Sequence, residues 1–413
     1  ICRSITGNGF KESLRIIGKI VDLKIFKFKT GAKVLDWTIP KEWNISDAYI
    51  ITPDGKKIAD FKKHNLHVVN YSHPIQKNIN LEDLKKKLHT LPAMPTAIPY
   101  ITSYYKKDWG FCLNHNDFKK LKKGKYKVLI NSTLKNGELT YSDTLIPGKT
   151  KKEILISTYL CHPQMANHEL SGPLVWSMLY RILKNTGPHE YTYRFLICPE
   201  NIGAAAFLHK NKKNIKNIKA GFVINCVGHG NEINYKKSRQ GNTLSDRAAL
   251  NVIKNSKYKF YIEDFEPLGS DERQFCSPGF NMPIGLIMRK RYDGFKEYHT
   301  SLDNEDILSY RTITESIKIY LDTIKTIENN FIPLGKVQYG VPQLSKSKIP
   351  LYRSTSNWKV KKLEDRIRIM LQILNLADGK LDMIDIANKK KFKLIDYLDL
   401  INDLIKSGYI KKK

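Results

Sequence analysis

"EILISTYLCHPQMANHELSGPLVWSMLYRIL", residues 153–183, holds an apolar run, then a polar segment with His162 and His168 six residues apart, then a second apolar run at helical spacing. The first run reads as a buried strand and the second as a helix packed on it. The alternation repeats outward through "YRFLICP" (193–199), "AAAFLHK" (204–210), "GFVINCVG" (221–228) and "MPIGLIMR" (282–289). Strands separated by helices imply parallel pairing, so residues 152 to about 306 are expected to form an α/β sheet covered on both faces. In such sheets ligands gather beyond the carboxyl ends of the strands.

Polar residues recur at those ends. The first strand runs into Cys161-His162, the second into Pro199-Glu200-Asn201 and the third into Asn225 to His229, and His299 follows in "EYHTSLDNED" (297–306). Histidine and carboxylate are the usual ligands of zinc, and a carboxylate such as Glu200 suits the proton transfer that a metal-activated water requires. Each residue also has an ordinary reading. His162 is equally a loop histidine, and His168 or Asp271 a helix cap. Glu200 suits a helix start by charge alone. Cys161 beside His162 suggests a thiol nucleophile, but neighbours on a strand point to opposite faces, which argues against that pair.

At 413 residues the chain exceeds one ordinary core. Residues 1–38 read as a helix and a strand that join residues 149–332 in one discontinuous α/β domain. Residues 39–148 change character: "YKVLINSTL" (126–134) and "GELTYSDTLIPG" (137–148) look like short strands with turns, so a β-rich insertion is expected. "DILSYRTITESIKIYLDTIKTIENN" (306–330) closes the α/β part, and the Pro, Gly and Ser of 333–356 read as a linker. Residues 357–413 read as three helices and a closing strand, a winged-helix pattern.

The net charge of +30 invites a nucleic-acid reading. Lysine far outnumbers arginine, however, and arginine is the residue that grips phosphate bidentately. The last helix of the tail also carries Asp396, Asp399 and Asp403 with no arginine, a poor composition for facing phosphates, so nucleic acid is not the expected partner. Protein contacts, including self-association into a homo-oligomer, suit this module better. The six cysteines are scattered, which fits a reducing cytoplasm. No apolar run reaches membrane-spanning length and no signal segment opens the chain, so a cytoplasmic location away from membranes is expected.

"HPQMANHELSGP", "PENIGA", "GSDERQFCSPGFNMPIG" and "EYHTSLDN" occur in the order shown by the zinc aminopeptidases of the bacterial leucyl aminopeptidase and glutamate carboxypeptidase type, which they resemble. Over nearly its full length the chain resembles a family of aminopeptidase-like proteins often found with polysaccharide biosynthesis genes. That likeness rests on "ICRSITGNG", "DWTIPKEWNI", "IPYITSYYKKDWGFC", "YKKSRQGNTLSDRA" and the C-terminal winged helix.

The resemblance implies a zinc-aminopeptidase-like mixed sheet flanked by helices. It also implies metal-binding histidines at His162 and His299, a general base at Glu200 and an orienting carboxylate at Asp271. The aspartate that bridges two metals in those enzymes falls on His168, and their other carboxylate ligands fall on Asn201 and near Asn225. Imidazole bound through one nitrogen serves one metal, so one zinc held by His162, His168 and His299 is expected in place of a pair. Tyr104, Tyr105, Lys106 and Trp109 of the insertion, with Lys237, Ser238 and Arg239, are candidates to hold an anionic or sugar-like substrate, or else to pack an interface and face solvent. The function implied is hydrolysis of an amide or peptide bond in a small substrate, free or sugar-linked, with Glu200 activating a metal-bound water. The alternatives are a degenerate relative that only binds and, last, a winged-helix regulator.

Overall fold

The computed structural model describes residues 1–347 and 361–413. Eight strands form the central sheet: β1 (Ile25–Lys29), β2 (Glu138–Ile146), β3 (Glu153–Tyr159), β4 (Thr192–Cys198), β5 (Ile218–Ile224), β6 (Ile233–Lys236), β7 (Phe260–Glu263) and β8 (Ile284–Met288). Their spatial order is β1-β2-β4-β3-β5-β8-β6-β7. The middle strands β4, β3, β5 and β8 run parallel, whereas β1, β2 and β6 join antiparallel, so the sheet is mixed. All seven residues of β3 are buried, as expected of a strand covered on both faces.

Successive residues of β3 serve different cores. Ile154 and Ile156 pack with Trp176, Leu179 and Ile319 under helices Ser171–Thr186 and Tyr310–Glu328. Leu155 faces the other side with Ile202 and Phe207 of helix Ile202–Asn211. Helix Ser171–Thr186 begins very close to the sheet: a Cβ on Gly172 would lie 2.4 Å from the Ile224 carbonyl oxygen, so only glycine permits that approach.

The β-rich region carries a four-stranded antiparallel sheet in the order Lys57–Ile58, Glu42–Ile51, Lys125–Lys135, Ile75–Asn80. Its last expected strand behaves differently. "GELTYSDTLIPG", read as part of the insertion, supplies β2 of the central sheet, because alternation with β1 and β4 buries Leu139 and Tyr141 there.

The tail holds helices Lys361–Leu376, Met383–Lys390 and Leu398–Lys406. Residues 333–335, read as the start of a linker, instead form a strand antiparallel to Ile410–Lys412; its Pro and Gly sit at the ends of a two-stranded ribbon, where a missing donor is tolerated. Residues 348–356 of that stretch and 357–360 lie outside the described residues. The tail is not a detached module. Ile373, Met383 and Leu404 continue the core beneath Tyr310–Glu328, Arg247 pairs with Asp382 and Asp385 at 2.7 Å each, and Asn251 caps the turn at Phe392 and Leu394.

Candidate metal centre

Beyond β3 the chain makes a mostly buried loop, residues 160–170, whose backbone is held from a distance. The Asp303 carboxylate accepts hydrogen bonds from the amides of Asn167 (2.6 Å) and His168 (2.9 Å), with a longer one from Ala166 (3.3 Å). Buried backbone donors need such partners, and here a side chain 135 residues downstream supplies them. Asn167 in turn accepts from the Gly228 amide at 2.9 Å, tying the loop to the end of β5.

That loop presents His162 and His168, both almost fully buried. His299 arrives with a left-handed backbone, φ 55°, its carbonyl accepting from the Tyr100 amide at 2.8 Å and its ring stacked on Tyr298 at 3.9 Å. The three Nε2 atoms converge: His168 lies 3.4 Å from His162 and 3.2 Å from His299. Each residue's outer contacts orient its ring. His162 Nδ1 lies 2.8 Å from Glu169 Oε2, and Arg3 sits 3.6 Å from the other Glu169 oxygen while donating to the His162 carbonyl. His168 Nδ1 lies 3.1 Å from the Tyr159 hydroxyl, which also reaches the His168 carbonyl.

Burial, then the neighbouring imidazoles, depresses His168 well below the ordinary histidine value, and burial with His162 brings His299 down to about 3. His162 moves upward: burial opposes this, but Cys161 and Glu169 outweigh it. Ligand atoms of the three histidines lie within 4.8 Å of one another. Three imidazoles converging on one point, two of them kept neutral by burial and the third backed by a buried carboxylate, are a donor set that fits a zinc-like cation.

Glu200 follows β4 at the mouth of the same space, its Oε2 3.8 Å from His162 Nε2. Burial raises its carboxyl above the usual range, partly offset by His162 and Arg273. Asp271 does not face the histidines. It is fully buried, accepts from the Asn201 amide at 2.6 Å and so props the turn, with Asn201 at φ 61°, that displays Glu200. Burial, with Glu200 next, pushes the Asp271 carboxyl well above its ordinary value. A cavity of about 240 Å³ opens over these groups, lined by His162, His299, Glu200, Tyr100, Tyr104 and Tyr105 among others.

The family model for a domain of unknown function, DUF4910, matches residues 1–330, and a winged helix-turn-helix model matches 332–412. The chain belongs to the DUF4910 family. A Clostridium acetobutylicum protein named for polysaccharide biosynthesis and an aminopeptidase-like domain is 44% identical over 96% of this chain and 91% of its own. A crystal structure from the same organism, described as a peptidase, superposes with a TM-score of 0.92 at 41% identity, covering 100% of this chain and 93% of that one. A zinc aminopeptidase from Bacillus subtilis matches with a TM-score of 0.56 at 12% identity, over 79% of this chain and 89% of its own, a likeness of fold. The mixed sheet is therefore aminopeptidase-like, with a winged helix appended.

In this DUF4910 chain the other residues singled out from sequence are dispersed. Tyr104 and Tyr105 line the cavity. Lys106 lines the adjoining one. Just past β6, Lys237 pairs with Asp264 at 2.8 Å and Arg239 donates to Asn281 at 3.0 Å, and neither lines the histidine cavity. Ser238 is buried against Asp246, and Trp109 lies over Phe111 beneath Lys77 and Lys87. The expected separation of Cys161 from His162 also fails: β3 ends at Tyr159, and past it Cys161 Sγ approaches His162 Nδ1 at 3.6 Å. Burial nevertheless pushes that thiol up to about 11, the wrong direction for a nucleophile. Glu169, Asp303, Arg3 and Tyr159 escaped the sequence reading, although Glu169 adjoins His168 and Asp303 stands four residues after His299.

Proposed function

We propose that the chain is a metal-dependent hydrolase of an amide or peptide bond in a small substrate. The convergence of His162, His168 and His299 at Nε2, beside the Glu200 carboxyl, carries this reading. A single zinc ion held by the three histidines would supply a Lewis acid for the scissile carbonyl and lower the pKa of water. Glu200 is placed to take a proton from the attacking water and hand it to the leaving nitrogen. Asp271 keeps Glu200 in position through the Asn201 amide. Glu169 holds the His162 ring by its Nδ1, and Tyr159 holds His168. Tyr100, Tyr104 and Tyr105 wall the cavity and exclude bulk water from the acyl group.

The relative named for polysaccharide biosynthesis supports a sugar-linked amide as the substrate. The six cysteines are all free, which supports a reducing compartment such as the cytoplasm.

A second reading, a relative that binds without cutting, draws on Asn201, whose side-chain oxygen accepts from Arg273 at 2.7 Å where a carboxylate ligand would stand in the aminopeptidases. Elemental analysis of the untagged protein, with His162→Ala and His299→Ala beside it, separates the two. About one zinc per chain, lost in both variants, with amide cleavage abolished in Glu200→Gln, supports the hydrolase. A wild type that takes up no metal even with zinc in excess leaves the binding protein.

A further inference from the structure

Next to the histidine cavity lies a second and larger one, about 520 Å³, lined by Pro40, Lys41, Tyr71, His73, Pro74, Tyr105, Lys106, Lys107 and Leu134. Tyr105 lines both cavities. It is 55% exposed and has a left-handed backbone, φ 63°, a conformation costly for a tyrosine. That turn sets Tyr104 against Tyr71 and Tyr100, while Lys106 and Lys107 line the second cavity with Tyr71.

The charge of the second cavity is one-sided. Three lysines and a histidine line it, and no carboxylate does. Among the described residues Lys41, Lys106 and Lys107 make no ion pair, although the same surface elsewhere pairs lysines readily, as at Lys87–Asp108 and Lys57–Asp60. The nearby carboxylates are committed: Asp108 to Lys87 and the Trp109 amide, Glu42 to Lys11 and the Glu138 amide. The His73 imidazole is depressed by burial and then by Lys107 and Lys41, with Asp108 opposing. Apolar walls from Pro40, Pro74 and Leu134 with an unneutralised cationic rim suit a ring or short chain bearing an oxyanion.

We infer that this cavity binds the anionic end of the substrate, a carboxylate-bearing sugar or acidic residue whose amide lies across Tyr105 in the histidine cavity. The inference rests on the hydrolase reading for the word substrate, while the binding itself needs neither metal nor turnover. It narrows the substrate class from any small amide to one with a negative group one unit from the bond cut.

The test is calorimetric titration of the full chain with glucuronate and with glucose, as purified and after zinc loading, for the wild type and for the triple variant Lys41→Gln, Lys106→Gln, Lys107→Gln. The control triple Lys212→Gln, Lys213→Gln, Lys216→Gln removes the same charge from an exposed segment elsewhere. Each rim lysine is expected to contribute modestly, so the wild type and the control should bind glucuronate about tenfold more tightly than glucose. The cavity triple should lose that preference while keeping its melting temperature. Equal binding of the two sugars by the wild type, or a preference that survives the cavity triple, overturns the inference. Loss of the preference only in the control also overturns it. Because the readout is binding, a chain that retains the preference yet cleaves no amide overturns the hydrolase reading and leaves the anionic site standing.

Discussion

Glu169 Oε2 lies 2.8 Å from His162 Nδ1, and both side chains are sealed from solvent, with Arg3 as the neighbouring cation. A carboxylate in that position fixes the proton on Nδ1 and leaves Nε2 free to ligate. Glu169→Gln keeps the shape and the hydrogen bond but removes the charge. Zinc affinity, read by competition with a chromophoric chelator, is expected to fall about 10–100-fold with the metal stoichiometry unchanged. Unaltered affinity would show that Glu169 serves folding alone.

Gly172 lies in the first turn of helix Ser171–Thr186, where an added Cβ meets both the Ile224 carbonyl and Thr158 Oγ1, at 2.4 and 2.7 Å. Neither neighbour is free to retreat, since both belong to the central sheet region. Gly172→Ala should therefore destabilise the chain by about 1–3 kcal/mol in denaturant unfolding, in spite of alanine's better helix propensity. A neutral or stabilised variant would mean that the helix can slide along the sheet.

Arg247 donates to Asp382 and Asp385 from a partly buried position between the α/β domain and the tail. Asp382 keeps Asn330 as a donor and Asp385 is partly exposed, so Arg247→Ala should cost about 1–2 kcal/mol. Limited proteolysis should then cut the tail from the α/β domain sooner than in the wild type. Digestion at the wild-type rate would indicate that the shared apolar core alone holds the tail.

His64 sits beside the site loop, its Nδ1 accepting from the Leu66 amide at 3.2 Å, and burial, then His67, depresses it to about 4 from 6.5. The unfolded chain binds this proton more readily than the folded one, so the native state loses stability as pH falls through the window from 6.5 to about 4. His64→Asn retains an acceptor for Leu66 without the titration. Its melting temperature should decline less over that window than the wild type's, and coincident profiles would refute the assignment.

The sequence disclosed the parts of the fold with a strong local signal. β3, β4, β5 and β8 are continuous apolar runs ended by polar residues, and they place His162 and Glu200 at the strand ends where an α/β sheet puts its ligands. β2 was harder, because its alternation suits either sheet and only pairing with β1 and β4 decides between them. The supporting groups were harder still. Nothing local in Arg3 or Asp303 announces that each will reach the 160–170 loop, since those contacts span 159 and about 135 residues and exist only after the chain closes. Lys237 and Arg239 show the converse: a basic motif gives composition without direction, and past the end of β6 they engage Asp264 and Asn281.

That reach of Arg3 and Asp303 has a bearing on biosynthesis. Arg3 and a carboxylate three hundred positions later meet at one loop, so a nascent polypeptide that has not yet released residues 299–303 from the ribosome has neither His299 nor the brace for His168. The three-histidine set is thus incomplete until residues 299–303 have emerged and the chain has closed on the 160–170 loop.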